Sequence, residues 1–136
     1  MDKAFPICEI HKLDRWYVES VYRLTAVQLT REEFEHPRIL IKDTMPIATR
    51  CDDTSVEARL HGRVGMIEFY QGAYQESYNA LLKALDCYEQ SNFYRGRTSW
   101  MESWLCRWIG RTLTALNEPD IGFQYLQRAI NIADEV

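Results

Sequence analysis

Four side chains in the last third of the chain have the types and the spacing to recognise an anion. Trp104, Arg107, Trp108 and Arg111 stand at i, i+3, i+4 and i+7, which places them on one stripe of a helix. Trp100 lies one turn earlier on much the same side. A guanidinium fork matches a carboxylate, and tryptophan supplies large contact area at low entropic cost. The stripe therefore suits an acidic peptide or another carboxylate. A packing reading stands beside it: aromatic residues at helical spacing commonly face a core, with the arginines neutralising nearby Glu and Asp. Between Asn92 and Asn117 the basic residues are Arg95, Arg97, Arg107 and Arg111, opposed only by Glu102. That local excess either steers an acidic partner or forms a solvated face.

Nothing in the sequence assembles a catalytic centre. There is no phosphate loop, nucleophile elbow or zinc-protease motif. His11, His36 and His61 are far apart, and His61 has no acid or nucleophile to work with. Glu32, Glu33 and Glu35 cluster near a helix junction, where acidic residues favour the N-terminus of the next helix. The four cysteines, Cys8, Cys51, Cys87 and Cys106, contain no Cys-x-x-Cys pair, which excludes a zinc ribbon. Cys8 and His11 have ligand-like spacing without a second pair to complete a site. Cys87 and Cys106 fall on apolar helical faces and read as small hydrophobes. No catalytic residue, metal ligand or cofactor site is assigned, and scattered reduced thiols point to the cytoplasm.

A chain of 136 residues accommodates one domain with a real core. Its net charge of −4 and pI near 5.4 argue against a nucleic-acid binder, which needs a broad basic surface. No apolar run approaches the ~20 residues that cross a bilayer. The start, MDKAFPICEIHKLDR, interrupts its apolar stretch with Glu9 and His11 and makes a poor secretory signal.

The elements that must position the stripe are helices. After an N-terminal segment over 1–13, helical periodicity predicts a helix from Asp14 to Thr30, with Trp16, Val21, Leu24 and Val27 among its apolar positions. A second is predicted over Pro37–Cys51, kinked or broken near Met45 because Pro46 removes a backbone donor. Two capping boxes, Thr54 with Glu57 and Ser99 with Glu102, predict helix starts. The first opens a helix to about Gln71, stopped by Gly72, and its partner runs from Tyr74 to Ser91. The linker Phe93–Thr98, with Gly96 and two arginines, suits a turn. A further pair spans Ser99–Leu116 and Glu118–Glu135, with Asn117 as a cap and Pro119 tolerated in the first turn.

The last two pairs echo each other 45 residues apart. Gly65, Gly72, Ser77, Leu81, Ala84 and Leu85 are answered by Gly110, Asn117, Gly122, Leu126, Ala129 and Ile130. Small residues recur where two helices must touch, and large apolar ones where a face must be buried. Segment 58–85, ARLHGRVGMIEFYQGAYQESYNALLKAL, resembles a tetratricopeptide repeat. Gly65 matches the small residue of that family's first helix, Gly72 and Tyr74 its Gly-x-Tyr turn, and Ala84 its alanine. Ser77 replaces the usual alanine, and Leu81 takes the aromatic position. In the second copy Gly110, Leu126, Ala129 and Ile130 fit, while Asn117, Pro119 and Gly122 depart from the turn glycine, aromatic and alanine. The resemblance covers residues 58–136, a little over half the chain. The long period is similar to repeats of bacterial signalling proteins, some of which precede diguanylate cyclase or helix-turn-helix output domains.

The resemblance implies an all-α fold: a right-handed stack of antiparallel helix pairs, about six helices. The pairs would lie at 14–53 (divergent), 54–92 and 98–136. It also implies a concave face lined by the first helix of each pair, here Arg59, Arg63, Met66, Phe69 and Tyr70, then Trp104, Arg107, Trp108 and Arg111. The family's two-carboxylate clamp of lysine and asparagine is absent. The function implied is a non-catalytic module that binds a protein or acidic peptide, serving as the N-terminal regulatory part of a signalling protein. A scaffold that self-associates through its stack ends is the alternative, and a small-ligand receptor or enzyme stands third. Arrays of this kind generally need a polar terminal helix. The amphipathic final helix thus predicts either a longer natural protein or a homo-oligomer.

Overall fold

The computed structural model describes residues 7–91 and 100–134, with side chains from residue 12 onward. Among the described residues there are six helices and no strand. They are α1 (Ile7–Thr30), α2 (Glu35–Thr49), α3 (Thr54–Tyr70), α4 (Tyr74–Glu89), α5 (Trp100–Ala115) and α6 (Pro119–Asp134). Each packs on the next in sequence; in addition α1 touches α3 and α3 touches α5. None of the helices is long and apolar enough to cross a membrane.

One backbone device makes all three hairpins. Ala73 N donates to Glu68 O at 2.9 Å and Gly72 N to Phe69 O at 3.0 Å, with Gly72 left-handed at φ +79°. Asn117 repeats this at φ +65°, with Glu118 N donating to Leu113 O at 2.8 Å. Glu32 does so again at φ +58°, with Glu33 N donating to Gln28 O at 3.0 Å. These bonds satisfy the last carbonyls of the outgoing helix, and only a left-handed residue permits them. Asn117 therefore terminates α5 rather than capping α6. Asparagine tolerates that conformation better than most residues, so the turn survives the loss of glycine.

Small residues sit where the paired helices cross. A Cβ at Gly65 would lie 2.5 Å from Leu81 Cγ, and one at Gly110 would lie 2.6 Å from Leu126 Cγ. The echoing small residues face them: Ser77 Oγ donates to Gly65 O at 2.7 Å, and a Cβ at Gly122 would lie 2.8 Å from Gly110 O. The match fails at one position. Leu85 of α4 is buried in the cluster that α5 joins, whereas Ile130 is 54% exposed, because no described helix covers the outer side of α6.

The core divides around α3. Val18, Val21, Ile41, Leu60 and Ile67 belong to one cluster, Leu81, Leu105, Trp108 and Ile109 to the other, and half-buried Met66 packs against both. Ion pairs tie the first three helices: Arg50 reaches Asp14 through two bonds of 2.8 Å, while Arg15 pairs with Asp53, Arg59 with Glu19 and Arg38 with Glu68.

Several local expectations change. α1 starts at Ile7, inside the expected N-terminal segment. Of its anticipated apolar positions only Val21 is buried; Trp16, Leu24 and Val27 are exposed, and the inward stripe is Val18, Val21, Thr25 and Leu29. α2 is not broken at Pro46 but runs on to Thr49. Proline's fixed φ is helical, and so near the end its missing donor removes a single bond. The N-cap of α3 is Asp53, whose Oδ1 accepts from Ser55 N at 2.9 Å. Thr54 is thus already helical, and its Oγ1 has no hydrogen-bond partner among the described residues. The linker Phe93–Thr98, the cap Ser99 and the side chains of Cys8 and His11 lie outside the described residues. Glu102 instead accepts from Arg128 of α6.

Candidate functional site

The nine residues expected on the concave face separate into packed and open groups. Arg63 is 4% exposed. Its guanidinium lies 4.0 Å from the centre of the Tyr22 ring and donates to Tyr22 O at 3.0 Å and to Met66 Sδ at 3.1 Å. Burial lowers its pKa from the ordinary arginine value. Arg59 is half-buried and paired with Glu19. These two arginines join α3 to α1, and Met66 bridges the two cores.

Trp108 is only 4% exposed and belongs to the core. Trp104 is half-buried against the bare backbone of Gly62, where a Cβ would come within 2.8 Å of Trp104 Cζ3. Gly62 is thus the small residue that lets α5 approach α3. The packing reading describes both tryptophans well.

What remains open is an aromatic ledge edged by cations. Phe69 stands edge-on to Trp108 at 5.3 Å, and Tyr70, half exposed, stands edge-on to the same ring at 5.7 Å. Arg111 lies over Trp108 at 4.5 Å and over Phe69 at 5.3 Å. Arg107 and Arg111 are exposed, and neither forms an ion pair with a described residue. Stacking on the rings holds the exposed Arg111 side chain in place, which lowers the entropy lost when a carboxylate pairs with it.

A small cavity of about 180 Å³ lies elsewhere, lined in part by Arg15, Glu19, Arg59 and Trp100. Ligand pockets usually run from roughly 300 Å³ upward, so it is too small for most metabolites.

A second cluster had no signal in the sequence as a unit. Glu57 and His61 of α3 and Cys87 of α4 each bring one donor atom within 4.8 Å of the other two. Each had a separate local explanation: a helix cap, an isolated histidine and a small hydrophobe. With Asp53 as the cap, Glu57 turns toward α4, and Cys87 Sγ lies 3.9 Å from Glu57 Oε2. Burial and the Lys83 ammonium push the His61 imidazole down to about 4, so the ring is neutral near pH 7. Burial and the Glu57 carboxylate raise the Cys87 thiol. Cys106, fully buried, is pushed up to about 11 chiefly by burial and behaves as a hydrophobe, as expected for its helical face.

No family model, no curated protein and no solved structure matches this chain.

Proposed function

We propose that this chain is a non-catalytic interaction module of tetratricopeptide-like architecture that binds an acidic peptide segment along the α3–α5 face. The observation that carries the reading is Arg111, exposed and lying over Phe69 and Trp108 with Tyr70 against the same tryptophan, together with exposed Arg107 one turn earlier on α5. Similar glycine crossings at Gly65 and Gly110, and the matching turns at Gly72 and Asn117, support the repeat architecture. The long repeat is the basis for placing it as the regulatory domain of a bacterial signalling protein. Arg59, Arg63 and Met66 then hold the surface from behind. Tyr70, Arg107 and Arg111 make the contacts, with the half-buried edge of Trp104 beside them.

The test is a fluorescently labelled library of Asp/Glu-rich peptides read by anisotropy. Wild type is expected to select a subset, and Arg107→Glu with Arg111→Glu to weaken those peptides at least about tenfold, the size of one lost charge-assisted contact. Helicity should not change, and the lost stacking of Arg111 on Trp108 and Phe69 should cost no more than about 1 kcal/mol of stability. Equal binding by wild type and the double variant would remove this face from consideration.

A specific observation favours self-association as the second reading. Trp16, 63% exposed, and Leu24, 47% exposed, open one end of the stack, while Phe123 at 63% and Ile130 at 54% open the other. Exposed apolar patches of this kind mark interfaces. A dimer or chain in sedimentation that Phe123→Glu or Trp16→Glu returns to monomer would establish it.

A further inference from the structure

We infer that Glu57, His61 and Cys87 form a binding site for a divalent transition-metal ion, and that zinc is the ion their donors fit best. The argument begins with placement. Glu57 and His61 are one turn apart on α3, and Cys87 faces them from α4. Their donor atoms already lie within 4.8 Å of one another. Tetrahedral zinc, with bonds of about 2.0–2.3 Å, holds its ligands roughly 3.3–3.8 Å apart. The distance left to close, at most about 1.5 Å, is of a size that side-chain rotation can supply.

The chemistry of the donors selects among ions. A thiolate, an imidazole nitrogen and a carboxylate oxygen together suit zinc, whereas magnesium and calcium demand oxygen ligands. Thiolate and carboxylate contribute one negative charge each, so the bound ion is neutralised. Three protein ligands leave the fourth tetrahedral position to water. Lys83, one turn before Cys87, is exposed and acts against a cation, while Asp86 adds a neighbouring negative charge. Binding breaks the Cys87 S–H bond, the sulfur keeps the electron pair as a metal bond, and one proton leaves to solvent. The ion would clip α3 to α4 across the hairpin.

Chelator-treated full chain titrated with Co²⁺ tests this directly. The expected result is a thiolate-to-cobalt charge-transfer band that saturates at one ion per chain and is displaced by Zn²⁺. The band should persist in the Cys8→Ser, His11→Gln variant and vanish in Cys87→Ser. Glu57→Gln and His61→Gln should each weaken binding at least about tenfold, since even outer partners of metal ligands cost that much. Far-ultraviolet circular dichroism confirms that each variant is folded. If Cys87→Ser does not fold, the two half-buried α3 substitutions decide alone. Absence of the band in wild type, its survival in folded Cys87→Ser, or wild-type affinity in both α3 variants would overturn the assignment.

Discussion

Replacing Trp108 with alanine is expected to destabilise the protein by about 4 kcal/mol, within the range seen when a buried aromatic is truncated to alanine. The ring belongs to the same buried cluster as Leu81, Leu105 and Ile109 and meets Phe69, Tyr70 and Trp104 at 5.3, 5.7 and 6.3 Å. Truncation removes all of these contacts at once, and packed helices cannot collapse into the space they leave. Such a loss is a large share of the stability of a small domain, so the variant should unfold at much lower urea than the wild type. Urea titration followed by circular dichroism measures it. Arg107→Glu, on the same helix but exposed, should change the stability by no more than about 0.5 kcal/mol. The contrast separates core from contact surface along one stripe. A Trp108→Ala protein with the wild-type midpoint would show that the ring is not a core residue.

The second large effect comes from adding a single methyl group. Gly110→Ala would place a Cβ 2.6 Å from Leu126 Cγ and 2.8 Å from the carbonyl oxygen of Gly122. The leucine side chain can shift, but the carbonyl belongs to the backbone of α6, so the helices must move apart. Overpacking of this kind costs about 3 kcal/mol, and the higher helix propensity of alanine returns about 1, leaving a net loss near 2 kcal/mol. Gly72→Ala supplies the control. No atom lies within 4 Å of its Cβ position, and only the left-handed backbone at φ +79° opposes the change, for about 1 kcal/mol. If Gly110→Ala proves the milder of the two, the close crossing of α5 and α6 is not what holds that hairpin together.

Much of this architecture follows from short-range chemistry. The left-handed turns at Gly72 and Asn117 and the small residues at Gly65 and Gly110 depend on what a few neighbouring residues permit. Each leaves a local mark: a missing Cβ, a residue tolerant of positive φ, or an apolar period near 3.6. Helix positions were legible for the same reason, with ends close to those expected except the start of α1, which lies at Ile7 rather than Asp14.

The roles of side chains on those helices were less legible, because they depend on which way each helix is rotated. α1 carries two apolar stripes. Packing on α2 and α3 buries Val18 and Val21 and leaves Trp16 and Leu24 outside. Arg63 reads as a surface cation until Tyr22, 41 positions earlier, supplies both a ring and a carbonyl. Periodicity put Trp104, Arg107, Trp108 and Arg111 on one stripe, yet the bare backbone of Gly62 and the ring of Phe69 determine which of them pack.

By itself, then, the sequence determined that the chain is helical, where its hairpins turn and which residues let paired helices touch, since each is a property of adjacent residues. The tertiary structure alone decided which face of α1 is buried, which arginines remain exposed and that Glu57, His61 and Cys87 meet. Those outcomes depend on the relative rotation and spacing of helices, which side chains distant in sequence set only when the chain is packed.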